Sequence, residues 1–462
     1  MKLNYLIGDK AFYRRVLLIT IPILIQNVIT NFVSLLDNVM VGLVGTEQMT
    51  GVAIVNQLVF VYNLCIFGAV SGAGIFTAQF FGKSDHKGVR DTFRMKIIST
   101  LIITVGAIIL LIFKGEFLIS LFIHTGEENI DLVLTMEYAK KYLNIALIGL
   151  PAFSLMQAYS DTLRSTGETG LPMKASVVAV LVNTGLNYIL IFGKFGAPKL
   201  GVEGAAIATV TARYVETAII VGWTHINKAK NPFIQDAYKS FKVPMPLVKS
   251  IVKKGVPLVL NEAFWSIGMT TLLQAYSIRG IETVSAMNIS STISNLFNCV
   301  FLATGNAIGI IVGQLLGAGQ IEKAKEEDSR LIFTTVVACA FVGVIMAILA
   351  PMIPQIYNTT DKVKELACSF LIVSAVMMPV SAFAHSAYFS LRSGGKTFIT
   401  FIVDSGFVWC VSIPVAYALV CLTKLPIVTV FALVQALELI KMCIGLYMLK
   451  QGAWLNNLVD KH

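Results

Sequence analysis

Residues 72–90 read GAGIFTAQFFGKSDHKGVR, and residues 307–325 read AIGIIVGQLLGAGQIEKAK. Set at an offset of 235, Gly74 meets Gly309, Gln79 meets Gln314 and Gly82 meets Gly317; far upstream, Pro22 meets Pro257 at the same offset. Further along, LRSTG at 163–167 meets LRSGG at 391–395 at an offset of 228. Two correspondences in the same chain order mark an internal duplication. Each copy ends an apolar run with a Q-x-x-G skeleton and leads into a polar loop, so the repeated unit is built from apolar helices.

The composition agrees. Of 462 residues, 56% are hydrophobic and 13% charged, whereas an average soluble domain carries roughly 25% charged residues. A water-soluble chain would have no place for so much apolar surface, which excludes a soluble enzyme, a disordered protein and a disulfide scaffold. A membrane-spanning helix needs about 20 mostly apolar residues. Twelve such runs are expected, at about 14–39, 47–76, 93–113, 133–157, 173–193, 201–226, 249–277, 283–311, 331–353, 364–390, 398–421 and 425–449. The fold class is therefore all-α: a polytopic membrane protein of twelve transmembrane helices in two pseudo-symmetric six-helix lobes. The expected division is an N-lobe over 1–226, a cytoplasmic linker over 227–248, and a C-lobe with a short tail over 249–462. The seven Cys stand singly, without metal-ligand spacing, and read as small buried hydrophobes.

Lys and Arg concentrate on the cytoplasmic side of bacterial-type topologies. With both termini inside, the cytoplasmic loops collect most of these residues, densest around Lys228, Lys230, Lys239, Lys242, Lys249, Lys253 and Lys254. The net charge of +10 is then a topology signal, and nucleic acid is not an expected partner. Both copies start inside and have six spans, so the repeat is parallel, with an axis along the membrane normal, an architecture used by transporters.

An ionisable group at the bilayer centre costs roughly 2.5–3.5 kcal/mol on insertion scales, so each one is a functional candidate. Glu216 follows Arg213 by three residues and Glu438 precedes Lys441 by three, a helical spacing at which each pair neutralises itself. Asp37, Glu262 and Asp404 have no such local partner and are the expected cation-coupling residues. Counting about 1.5 Å per residue, Asp37 lies about 33 Å from Arg15, Glu262 about 12 Å from Lys254, Asp404 at a similar depth, and His385 about 10 Å from Arg392. Glu262, His385 and Asp404 are thus expected to form one polar cluster. A carboxylate in a low-dielectric cavity exchanges a proton near neutral pH and, when ionised, attracts Na+ or an organic cation. Asp37 and Glu262 are the expected ligands if the ion is Na+. Gln26, Asn27, Asn183, Asn187, Thr209, Asn288 and His385 are the expected cavity-lining groups; Asn183 and Asn187 share a helical face. Pro22 and Pro257, inside helical runs, are the expected hinges.

Several enzyme signals fail. Gly82-Lys83-Ser84 lacks the phosphate-cradle Gly, having Thr77 there, and Gly395-Lys396-Thr397 has Ser390. His86 and Asp91 match an acyltransferase spacing, but the repeat replaces His86 with Ile321. No catalytic constellation remains, and no cofactor is expected.

Taken together, Pro22 and Asp37 with DNVMVG, AQFFGK and GQLLGAG after spans 2 and 8, LRSTGET and LRSGGKT after spans 4 and 10, and Asn183-x-x-x-Asn187 followed by IFGKFGAPKLGVEGAAIAT resemble the multidrug and toxic compound extrusion (MATE) transporters over nearly the whole chain. The resemblance implies a multi-pass plasma-membrane monomer that exports cationic amphipathic compounds in exchange for H+ or Na+, with two lobes that alternate access. The DinF-like branch pairs an Asn with an Asp four residues later on span 5; Asn187 at the second position is closer to the NorM-like branch. That branch places acids on spans 7 and 10. Glu262 matches the first, Ser381 occupies the second, and Asp404 on span 11 is the expected replacement. The alternative is a lipid-linked oligosaccharide flippase of the wider superfamily. Such a cavity needs several arginines for a diphosphate, and Arg213 alone lies within a span.

Overall fold

The structure is a computed structural model; it describes residues 6–122 and 131–460, apart from the side chains of residues 34–36, 38 and 39. The chain ends, expected on the cytoplasmic side, lie outside the described residues, as do the side chains of Asn38 and Val39 in DNVMVG.

Among the described residues, twelve helices are long and apolar enough to cross a membrane. They are α1 (Lys10–Gly42), α2 (Thr46–Gly82), α3 (His86–Ser120), α4 (Leu132–Ser165), α5 (Gly170–Phe192), α6 (Val202–Ile226), α7 (Met245–Ser277), α8 (Ile281–Gly317), α9 (Ile321–Leu349), α10 (Asp361–Ser393), α11 (Thr397–Leu422) and α12 (Ile427–Gln451). No strand occurs among the described residues. The twelve runs expected from the sequence are each met by a helix, and ten of these helices are longer than the run. At about 1.5 Å per residue, the 37 residues of α2 extend about 55 Å against a hydrocarbon core of about 30 Å. Polar residues outside the expected runs therefore continue the helices; Arg90, for example, lies inside α3.

The chain packs as two compact units, and these are not the simple sequence halves. The N-terminal unit comprises Ile25–Thr77 and Asp85–Ile251; the C-terminal unit comprises Met1–Leu24, Ala78–Ser84 and Val252–His462. In the C-terminal unit the first turns of α1 bury Phe12, Val16, Ile19 and Ile23 among Ala307, Ile308, Ile311 and Leu315 of α8. In the N-terminal unit the core joins Val55 and Ile66 of α2 to Ile119 of α3, Leu143 of α4 and Ile191 of α5. The 227–248 stretch, expected as a linker, belongs to this unit. Arg94 on α3 donates to the carbonyls of Asp236 (2.7 Å) and Ala237 (2.8 Å), and Phe233 is buried against Phe93.

The repeated Q-x-x-G motif has a packing reason. A Cβ on Gly82 would lie 1.9 Å from the Gln314 carbonyl oxygen, and a Cβ on Gly317 would lie 1.9 Å from that of Gln79. Each copy of the motif thus lends its glycine to the backbone of the other, so neither tolerates a side chain. Gln79 is fully buried; its amide donates to the Ser393 and Asn456 carbonyls at 2.9 and 3.2 Å and accepts from the Leu458 N–H at 2.7 Å. The LRSTG and LRSGG motifs are matching helix stops. Gly167 (φ +92°) and Gly395 (φ +76°) turn left-handed, and the N–H groups of Glu168 and Lys396 reach back to the carbonyls of Leu163 and Leu391 at 2.8 and 2.9 Å.

Candidate functional site

Each unit holds its own polar cavity. In the N-terminal unit, Asp37 on α1 faces α5. The Asn187 amide donates to Asp37 Oδ1 at 2.6 Å. The Asn183 amide, oriented to donate, reaches the same oxygen at 2.9 Å and Oδ2 at 3.3 Å. The i,i+4 spacing of the two asparagines is what lets one carboxylate receive both. Asn187 Oδ1 is buried and accepts no hydrogen bond, an orphaned acceptor beside a carboxylate. Asp37 and Asn187 line a cavity of about 470 Å³ together with Asn56, Gln57, Tyr142, Thr209 and Arg213. A smaller cavity of about 90 Å³ brings Asp37, Ser176, Asn183, Thr209, Arg213 and Glu216 together. Arg213 lies 3.3 Å from Glu216, as the i,i+3 spacing predicts, and stacks over Phe153 at 5.1 Å. Glu216 is also the acceptor for Ser176, which receives the Gln26 amide at 2.7 Å; Arg164 donates to Gln26 at 2.8 Å.

In the C-terminal unit, a cavity of about 180 Å³ is lined by Trp265, Met269, Phe301, Ser381, His385, Tyr388, Asp404, Glu438 and Lys441, among others. Asp404 is not unpartnered as the sequence suggested. Lys441 on α12 stands 3.3 Å from its Oδ1, and Asn261 on α7 donates to its Oδ2 at 3.1 Å. The same ammonium lies 2.9 Å from Glu438. Asn261 is fixed in turn by Ser405, which donates to its side-chain and backbone oxygens at 2.7 and 2.8 Å.

The expected trio is therefore only partly assembled. His385 and Asp404 share the cavity; Glu262 is not among its lining residues, and Arg392 and Asp404 are the charges that act on it. One residue's rotation on α7 decides this, because it is Asn261 that reaches Asp404. Asn288 is exposed on α8 and lines none of these three cavities. Gln26 serves the Arg164–Ser176 chain and does not line them either, nor does Asn27. Asp37 and Glu262, the expected Na+ ligands, belong to different units. Pro22 and Pro257 sit within α1 and α7.

Sequence reasoning missed three features. Lys96, with no exposed side-chain surface, is paired with Asp161 at 2.7 Å. Asp328, buried on α9, accepts from Ser390 at 2.5 Å. Asp404 stands in a π-helical turn, Ile402–Gly406, followed by a second, Val408–Ser412; such turns gather at functional sites, and nothing in the residue pattern announces them. A charge within a helix-length run flanking each span would have pointed to the first two.

The MatE family model matches residues 22–189 and again 257–418, two matches that begin 235 residues apart, at Pro22 and Pro257. The chain belongs to the MatE family. Among curated relatives, it is 24% identical over 425 residues to the probable multidrug resistance protein NorM of Thermotoga maritima, covering 90% of this chain and 88% of the relative. It is 22% identical to the probable multidrug resistance protein YoeA of Bacillus subtilis, covering 91% and 90%. A solved structure described as the outward-facing conformation of a multidrug resistance MATE family transporter of the MOP superfamily matches with a TM-score of 0.87 at 20% identity, over 98% of both chains. Another, of MATE in the bent conformation, matches with a TM-score of 0.85 at 19% identity, over 97% of both. The fold is that of these transporters: all-helical, with twelve apolar helices.

Proposed function

We propose that this chain is a secondary active antiporter of the plasma membrane that exports cationic amphipathic drugs in exchange for H+ or Na+, by alternating access and as a monomer with both termini in the cytoplasm. The observation that carries the reading is the Asp37 site. A carboxylate held by two asparagine amides, with a buried and unsatisfied Asn187 oxygen beside it on the wall of a cavity, is a set of oxygens suited to a small hard cation or a proton. The names of the relatives, multidrug resistance proteins, support the substrate class. Asp37 is the N-terminal coupling residue, with Asn183, Asn187 and Thr209 around it; Glu262 and Asp404 serve the C-terminal unit, and Pro22 and Pro257 act as hinges. A flippase reading is not favoured, because the guanidinium in the larger cavity, Arg213, is already paired with Glu216.

The test is ethidium efflux from membrane vesicles under an imposed Na+ or proton gradient, one at a time. Efflux accelerated by one gradient and abolished by its collapse supports the reading; efflux indifferent to both gradients contradicts it.

A further inference from the structure

The C-terminal unit's cavity contains a positive charge that belongs to the protein. The Lys441 side chain is 9% exposed, and its ammonium bridges two carboxylates, Glu438 at 2.9 Å and Asp404 at 3.3 Å. It also lies over the Phe407 ring, 5.6 Å from its centroid. Two acids and one base leave a net charge of −1. His385 lines the same cavity. The cavity wall includes the aromatic rings of Trp265, Phe301 and Tyr388 and the thioether of Met269 among aliphatic side chains, surfaces that attract a flat organic cation through the ring quadrupole and by apolar burial. The π-helical turn at Ile402–Gly406 and the Asn261 amide hold Asp404 at this wall.

We propose that Lys441 is the charge-setting residue of an organic-cation site in this unit: by neutralising one of two carboxylates, it makes the cavity select aromatic compounds bearing a single positive charge over those bearing two. The proposal rests on the drug-export reading for its ligand class. It adds a second site, distinct from Asp37, and the residue that sets its charge preference. A singly charged ligand completes the neutralisation of Asp404, Glu438 and Lys441. A doubly charged one leaves an uncompensated charge in a low-dielectric cavity, which is strongly disfavoured. Without Lys441 the preference reverses, because two free carboxylates then face the ligand.

The experiment is binding of ethidium, with one positive charge, and propidium, with two on the same phenanthridinium ring, to the purified full-length protein in detergent at pH 8 without any gradient. Lys441→Gln is expected to shift the affinity ratio toward propidium by about tenfold or more, the scale of one added charge interaction at short range. Lys441→Arg is expected to keep the wild-type ratio. Glu438→Gln combined with Lys441→Gln restores the net charge of −1 and is expected to restore that ratio, a rescue that a purely structural role of the lysine would not produce. The proposal is overturned if Lys441→Gln leaves the ratio unchanged in protein that elutes as a monodisperse species, or if the double variant behaves as the single one does. Because no gradient is present, these outcomes are independent of antiport: vesicle efflux driven by a gradient, with an unmoved binding ratio, removes this proposal and leaves the transport reading intact.

Discussion

Asp37 illustrates how neighbouring helices supply partners to a carboxylate in an apolar helix. Alone in an apolar helix it would be costly; here the Asn183 and Asn187 amides donate to it, and an unfilled acceptor, Asn187 Oδ1, lies beside it. Asn187→Leu removes both the donor and the acceptor. Gradient-driven ethidium efflux should fall about tenfold or more, since an unsatisfied buried partner costs about 1–3 kcal/mol, whereas wild-type rates would exclude Asn187 from the site. Lys96 and Asp161 make a different case, a structural one. Lys96→Met strands a partly buried carboxylate, which costs about 3–5 kcal/mol where burial is deep and less here because Asp161 retains 27% exposure. The thermal midpoint in detergent should drop, and Asp161→Leu in the same chain should recover part of it; an unchanged midpoint would mean that the pair contributes nothing. The local i,i+3 pairs Arg213–Glu216 and Glu438–Lys441 were legible in the sequence, because helical geometry alone brings them together. The Asp404–Lys441 and Lys96–Asp161 pairs were not, because each joins two helices whose rotation no single-helix pattern determines.

At the scale of the helix, the repeated motifs resolve into two mechanical jobs. LRSTG and LRSGG stop α4 and α10 with a left-handed glycine, and Q-x-x-G lets α2 and α8 approach to backbone contact. Gly317→Ala should therefore reduce the yield of monodisperse protein sharply, because its Cβ would collide with the Gln79 carbonyl rather than with a side chain that can move aside. Normal yield and a normal elution profile would refute that close approach. Gly167→Ala should cost less, about 1–2 kcal/mol for a non-glycine residue in the left-handed region, since nothing stands within 4 Å of the added carbon; the thermal midpoint reads the difference between the two. The motifs themselves, and the twelve helices, could be read from residue spacing and apolar run length. Helix ends and the two π-helical turns of α11 could not: amphiphilic continuation past the lipid is decided by tertiary partners, and an extra residue in one turn leaves hydrophobic content unchanged.

Over the whole molecule, the duplication fixes a common scaffold while the chemistry departs from it. The two family matches begin at Pro22 and Pro257, yet Asp37 corresponds to Leu272 and Glu262 to Asn27 at that offset. The cavities follow suit: amides surround a carboxylate in the N-terminal unit, and a lysine bridges two carboxylates among aromatic rings in the C-terminal unit. Unequal sites on a duplicated fold fit the proposal of ion coupling at one site and cargo selection at the other. The most direct test of that account is ethidium efflux from proteoliposomes holding either the wild-type chain or Asp37→Asn, under the gradient that drives the wild type, with ethidium binding measured on the same preparations. The account predicts that Asp37→Asn binds ethidium through the C-terminal unit yet loses gradient-driven efflux, because the amide keeps the shape of the carboxylate and removes its exchangeable charge. Efflux at the wild-type rate by Asp37→Asn would contradict it.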